Sequence, residues 1–197
     1  MIKQPRAQVE FVPLMASLMS IVALAIDALL PALEMIGMSL GTAQATDHQL
    51  LITMIFLGLG VGPLIFGPIS DSWGRKPIVY LGFALFIAAS LLCVFTKSLE
   101  GMVTGRILQG VALSAPRTIS IAMVRDTYSG DYMARIMSFI TVVFILVPVV
   151  APAMGKLILE FHSWQAIFYV QMVFAVLVSW WFWKRQPETL TLSLIHI

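Results

Sequence analysis

Long uncharged or nearly uncharged runs alternate with brief polar clusters along the whole chain. The runs cover about residues 11–33, 49–69, 78–96, 102–124, 136–159 and 164–183. Each is close to the roughly 20 residues that a helix needs to cross the hydrocarbon of a bilayer. No two-residue apolar and polar alternation competes with this pattern, and the connections are short. The pattern therefore predicts an all-α integral membrane protein of six spanning helices with no inserted soluble domain. The first run continues from residue 11 past Asp27 to residue 33, so it reads as a spanning helix and not as a cleaved signal peptide.

Composition supports the same class. The 197 residues are 59% apolar and only 11% charged, with a mean hydropathy of +0.94, more apolar surface than a soluble domain of this size could cover. The net charge of +2 is small and its carriers fall in short loops, which argues against a nucleic-acid partner. Lys3, Arg6, Arg75, Lys76, Arg125, Arg135, Lys184 and Arg185 fall at one set of helix ends, whereas Lys97 falls at the other. By the positive-inside rule the N-terminus and residue 185 are cytoplasmic. The single cysteine, Cys93, sits in an apolar run and reads as a small packing residue. No nucleophile, phosphate loop or metal-ligand spacing points to an enzyme, and His48, beside Asp47 at a helix end, has no acid or cysteine arranged to complete a metal site.

Between the second and third runs stands GPISDSWGRKP, residues 67–77, the first place where charges gather. It reads as a tight turn between two spans. Gly67 and Gly74 would permit close backbone approach or positive φ, Asp71 would cap a helix or meet a dipole end, and Arg75 with Lys76 would hold the turn in the cytoplasm. This spacing resembles the signature loop joining helices 2 and 3 of the major facilitator superfamily of transporters. The resemblance implies the N-terminal half of a twelve-helix protein, a six-helix bundle over residues 1–185 followed by the start of an inter-half linker at 186–191. It also implies that Asp71 and Arg75 belong to a conformational gate closing against a second half.

Three spans carry further chemistry. The first contains Asp27 in IVALAIDALLPAL. Carboxylates inside spans face cavities or partners and mark ion or proton paths, with structural pairing as the alternative. The fourth contains Arg106 and Arg117, eleven residues apart, which at 100° per residue places them within about 20° on one face. Two guanidiniums at those depths cannot both snorkel, so they are expected to line water, with a helix-packing ion pair as the alternative for each. Asp27 and Arg106 fall at similar depths, about 9 Å and about 6 Å from the outer helix ends, which makes Arg106 the expected partner of Asp27. The fifth span contains Pro148 and Pro152 with the small pair Ala151 and Gly155, which predicts a bend and close helix packing. Gly58 and Gly62 in the second span have the same small-residue spacing.

The helix 4 sequence RILQG, with Arg106, Gln109 and Gly110, resembles a second motif of the superfamily, Ala112 standing where many members have glycine. The D…LPAL run and APRTISIAMVRDTYSG are similar to drug:proton antiporters of the bicyclomycin-resistance (Bcr/CflA) branch. VPVVAPAMGK partly resembles the antiporter motif of helix 5, with Ala151 and Lys156 in place of glycines. The resemblance implies proton-coupled multidrug efflux across the inner membrane by alternating access, driven by the proton gradient without a cofactor. Its substrates would be apolar or cationic small molecules. Asp27 would exchange proton for substrate, Arg106 would be its partner and Arg117 a cavity residue. A nutrient or metabolite facilitator of the same superfamily, a self-contained six-helix dimerising transporter or channel, and a non-transporting scaffold are the alternatives. The last six residues, LSLIHI at 192–197, can be encoded by the mosaic end of a common transposase sequencing adaptor, and are read as an appendage outside the fold, with a chance apolar linker segment as the alternative.

Overall fold

A computed structural model describes residues 5–42 and 44–189. Lys3, the end of the expected linker and the appended LSLIHI segment lie outside the described residues. All regular structure there is helical: α1 (Pro5–Asp27), a 3₁₀ turn (Leu30–Ala32), α2 (Leu33–Ser39), α3 (Ala45–Trp73), α4 (Arg75–Phe95), α5 (Leu99–Thr127), α6 (Gly130–Phe161) and α7 (Gln165–Arg185). Six units are long and apolar enough to span a membrane, the first running through α1, the 3₁₀ turn and α2 from Glu10 to Ser39. That first unit is longer than the run ending at residue 33 and is interrupted immediately after Asp27.

The interruption has a local cause. Pro31 cannot donate an N–H to the carbonyl four residues earlier, and the chain tightens ahead of it. The Leu29 N–H turns to the Ile26 oxygen at 3.3 Å and the Ala32 N–H to the Leu29 oxygen at 2.9 Å. α5 starts more conventionally, with the Ser98 hydroxyl accepting from the Gly101 N–H at 3.2 Å. α6 runs as one helix through both Pro148 and Pro152.

In hydrocarbon, helices gain little from hiding apolar surface, so close backbone contact and buried polar groups fasten them. Glycine supplies the contact here. A Cβ on Gly58 of α3 would run into Ile107 and Gly110 of α5, one on Gly62 into Ser114, and one on Gly110 into the Ile55 carbonyl. Gly82 of α4 likewise lies on Ala112 and Ala115 of α5. Ala112, at the position where a further glycine is common, thus already touches a neighbouring backbone. Gly155 of α6 sits on Ala28 and Pro31, so the small residue expected to aid packing rests on the break in the first span. Cys93 is buried with its Sγ against Gly105, a packing role.

α5 is therefore the central helix, flanked by α1, α3 and α4. Outer faces of α3 and α6 remain apolar and exposed, among them Phe56, Leu64, Val142 and Val149. One end of the bundle is tied by contacts between helix starts and helix ends: Phe11 of α1 stacks edge-on with Tyr128 after α5, and Arg185 of α7 meets Glu10 of α1 at 3.3 Å.

Candidate functional site: a buried guanidinium and a charged cluster

The motif at residues 67–77 is almost entirely helical rather than an extended turn. α3 continues to Trp73, α4 begins at Arg75, and Gly74 alone makes the connection with φ +99°. That backbone region strains any residue with a Cβ, so the requirement for glycine falls on Gly74. Gly67 is inside α3 with no atom within 4 Å of a would-be Cβ, so neither close approach nor positive φ explains it.

Arg75 is the centre of a charged cluster. Its Nη1 donates to Asp71 Oδ1 at 2.6 Å and to Ser70 Oγ at 2.7 Å, and its Nε donates to Asp126 Oδ2 at 2.9 Å. A planar guanidinium can satisfy this fork, whereas an ammonium would be a single point charge. Asp71 therefore pairs with Arg75 instead of capping a helix. The contact with Asp126 ties the start of α4 to the end of α5, a role for Asp126 that the sequence did not single out. The Lys76 backbone N–H takes part in the same cluster, donating to Glu188 at 2.9 Å.

A cavity of about 620 Å³ opens beside this cluster, lined by Asp71, Arg75, Arg117, Thr118, Arg125 and Asp126 among others. Arg117 is exposed in it, as a cavity-lining residue should be. Arg106 is not: it is completely buried. Eleven residues at 100° each give the two similar angles about the helix axis, but they also separate the two by about 16 Å along it. Neighbouring helices close around α5 at one depth and leave it open at the other.

The expected pairing of Arg106 with Asp27 is not present, and among the described residues no ion pair joins them. Arg106 instead donates from Nε to the Leu51 carbonyl, from Nη1 and Nη2 to the Ala25 carbonyl, each at 3.3 Å, and from Nη1 to Gln109 Oε1 at 2.8 Å. Gln109 Nε2 passes the network on to Ser90 Oγ at 2.7 Å, and the Phe168 ring centroid lies 6.0 Å from the guanidinium carbon. Five helices, α1, α3, α4, α5 and α7, thus meet at one cation. Ala25 is available because its usual donor, the Leu29 N–H, has turned to Ile26. The break in the first span supplies the acceptor that the buried charge needs.

Asp27 stands at the end of α1, at this break and half-buried. Gln171 of α7 holds the same segment, its Nε2 donating to the Leu24 carbonyl at 3.4 Å. An uncharged amide in an otherwise apolar run is the signal that could have drawn attention to Gln171. Gly110 serves the α3 contact, and Pro148 and Pro152 lie in α6 away from the buried cation's hydrogen bonds. No group of three or more His, Cys, Asp or Glu side chains among the described residues is arranged to hold a metal.

The model of the Major Facilitator Superfamily matches residues 15–194. An uncharacterized MFS-type transporter of Bacillus subtilis, YdgK, is 36% identical over 170 residues, covering 85% of this chain and 42% of the relative. A bicyclomycin resistance protein homolog of Haemophilus influenzae is also 36% identical, over 83% of this chain and 41% of its own length. A multidrug resistance protein MdtL of Klebsiella pneumoniae is 32% identical, over 78% and 39%. The chain thus spans about 40% of the length of these curated relatives. In fold it is similar to the crystal structure of the human organic anion transporter MFSD10, with a TM-score of 0.71 at 19% identity, covering 96% of this chain and 50% of that one. Six apolar spans, the charged loop around Arg75 and the family match agree: this chain is a multi-pass membrane protein that belongs to the major facilitator superfamily of transporters.

Proposed function

We propose that this chain is the N-terminal half of a proton-coupled exporter of apolar or cationic small molecules in the inner membrane. Its N-terminus and residue 185 lie in the cytoplasm, and it works by alternating access against a second six-helix half. The observation that carries the coupling is the position of Asp27, an ionisable group at the point where the first span is interrupted. A half-buried carboxylate there meets desolvation when the surroundings close and solvation when they open, and this is the opposition a proton carrier uses. The bicyclomycin and multidrug resistance relatives support export of foreign small molecules.

In this reading Arg106 does not neutralise Asp27. It fixes the carbonyl two residues before it, so protonation of Asp27 and the shape of the break are coupled through backbone. Arg75, held between Asp71 and Asp126, keeps the cytoplasmic gate in register. Arg117 lines the cavity on the same side.

The complete gene, expressed in cells lacking other exporters, tests this by efflux of a fluorescent cationic dye with and without a protonophore. Export should collapse with the gradient, and Asp27→Asn should abolish uphill export while dye binding is retained. Normal uphill export by Asp27→Asn would remove that carboxylate from the mechanism. Transport that survives loss of the gradient would favour a facilitator.

A further inference from the structure

The chain that leaves α7 returns to the gate. Glu188 accepts from the backbone N–H of Arg75 through Oε1 at 3.0 Å and from that of Lys76 through Oε2 at 2.9 Å. These are the first two donors of α4. No N-cap side chain serves them, because the N-cap is Gly74, and Pro77 at the third position has no N–H to satisfy. A carboxylate straddling a helix start also opposes the positive end of the macrodipole. The neighbouring Thr189 hydroxyl reaches Asp126 Oδ2 at 3.5 Å, so the segment meets both ends of the gate.

Gly74 makes the fit possible in a second way. A Cβ there would lie 3.0 Å from Glu188 Oε2, inside ordinary contact distance. Glycine is therefore required for its φ, and a Cβ there would also make the Glu188 carboxylate, more than a hundred positions away, give by a few tenths of an ångström.

We propose that Glu188 is a positioning residue of the gate: it caps α4 from the segment that follows α7, holds the backbone of Arg75 between Asp71 and Asp126, and so couples that segment to gate opening. The proposal rests on reading the Arg75 cluster as a gate. When the cap is released, Arg75 loses its fixed backbone and the closed arrangement loses stability relative to the open one. When the segment is pulled by movement elsewhere in the protein, the cap is the contact that transmits it.

The test uses the full-length transporter with Cys93→Ala and a reporter cysteine, Thr118→Cys, in the cavity beside the gate. The rate of labelling by a membrane-impermeant maleimide is compared in the parent, Glu188→Ala and Glu188→Gln. Loss of the cap should raise the labelling rate roughly five- to tenfold in Glu188→Ala, the factor expected for losing a helix cap. Glu188→Gln, which keeps one oxygen acceptor, should fall between the two and serves alone if the alanine variant does not reach the membrane. A merely structural Glu188 would lower membrane abundance without changing the labelling rate of the protein that remains. Unchanged or slower labelling overturns the proposal. Labelling needs neither substrate nor gradient, so that result leaves proton-coupled export standing, and failure of export leaves this measurement intact.

Discussion

The side chain of Arg106 holds the backbone of Ala25, with both terminal guanidinium nitrogens 3.3 Å from that carbonyl oxygen. A buried cation is thereby satisfied by the Ala25 and Leu51 carbonyls and a glutamine, with no carboxylate among its hydrogen-bond partners. Arg106→Ala would leave Gln109 Oε1 and the Ala25 carbonyl without this donor and open a void where five helices meet. Unsatisfied buried polar groups cost about 1–3 kcal/mol each, so a loss of about 2–4 kcal/mol is expected. Arg106→Lys keeps the charge but cannot reproduce the planar fork, and should fall between. Thermal unfolding in detergent measures both, and parental stability in Arg106→Ala would show that the cation fastens nothing.

Gly58 and Gly110 set the distance between α3 and α5, since a Cβ on either would meet backbone of the other helix. Backbone cannot move aside as a side-chain tip can. Gly58→Ala and Gly110→Ala are each expected to cost about 1–3 kcal/mol through overpacking. Gly60 has nothing within 4 Å of its would-be Cβ, so Gly60→Ala is the control, neutral or favourable by helix propensity. Equal losses in all three would contradict the glycine contact.

Asp126 and Asp71 both bind Arg75, but their side chains are 24% and 65% exposed. Solvent screens the second more, so Asp71→Asn should cost under about 1 kcal/mol of stability. Asp126→Asn should cost about 1–3 kcal/mol, because it weakens a better shielded, charge-assisted bond. In the full-length protein Asp71→Asn should nevertheless impair transport at equal membrane abundance. Unimpaired transport by that variant would separate Asp71 from the gate.

Arg117 stands exposed in the cavity beside Arg75, whereas Cys93 is fully buried. With Cys93→Ala as background, Arg117→Cys should react with a small impermeant thiol reagent added on the face that carries Arg75. The parent, retaining Cys93, should stay unlabelled. Protection of Arg117→Cys from both sides in active protein would mean that the cavity is sealed.

The charged cluster around Arg75 was legible as a unit because Asp71, Arg75 and Lys76 are neighbours in sequence and their charges interrupt an apolar background. Its wiring was not. Asp126 and Glu188 lie far along the chain, and nothing local marks one acid as the partner of Arg75 and the other as the cap of α4. Arg106 was recognisable as a buried charge, but the expected carboxylate partner came from matching depths, which constrains height in the membrane and leaves direction around the helix open.

The sequence by itself determined the six spans, the clustering of cations at one set of helix ends and the glycine spacing of α3, because hydropathy and periodicity act over a few turns. The run at residues 11–33 reads as one unbroken span, and the disturbance after Asp27 emerged with the structure. Only the tertiary structure decided which carbonyl that disturbance releases and which cation receives it. Leu29 turns to Ile26 and leaves Ala25 open, and α5 lies close enough for Arg106 to fill the vacancy. Tertiary packing likewise separated Arg117 from Arg106, because neighbouring helices enclose Arg106 while Arg117 lines a cavity, and exposure follows the neighbours as well as the helix's own face.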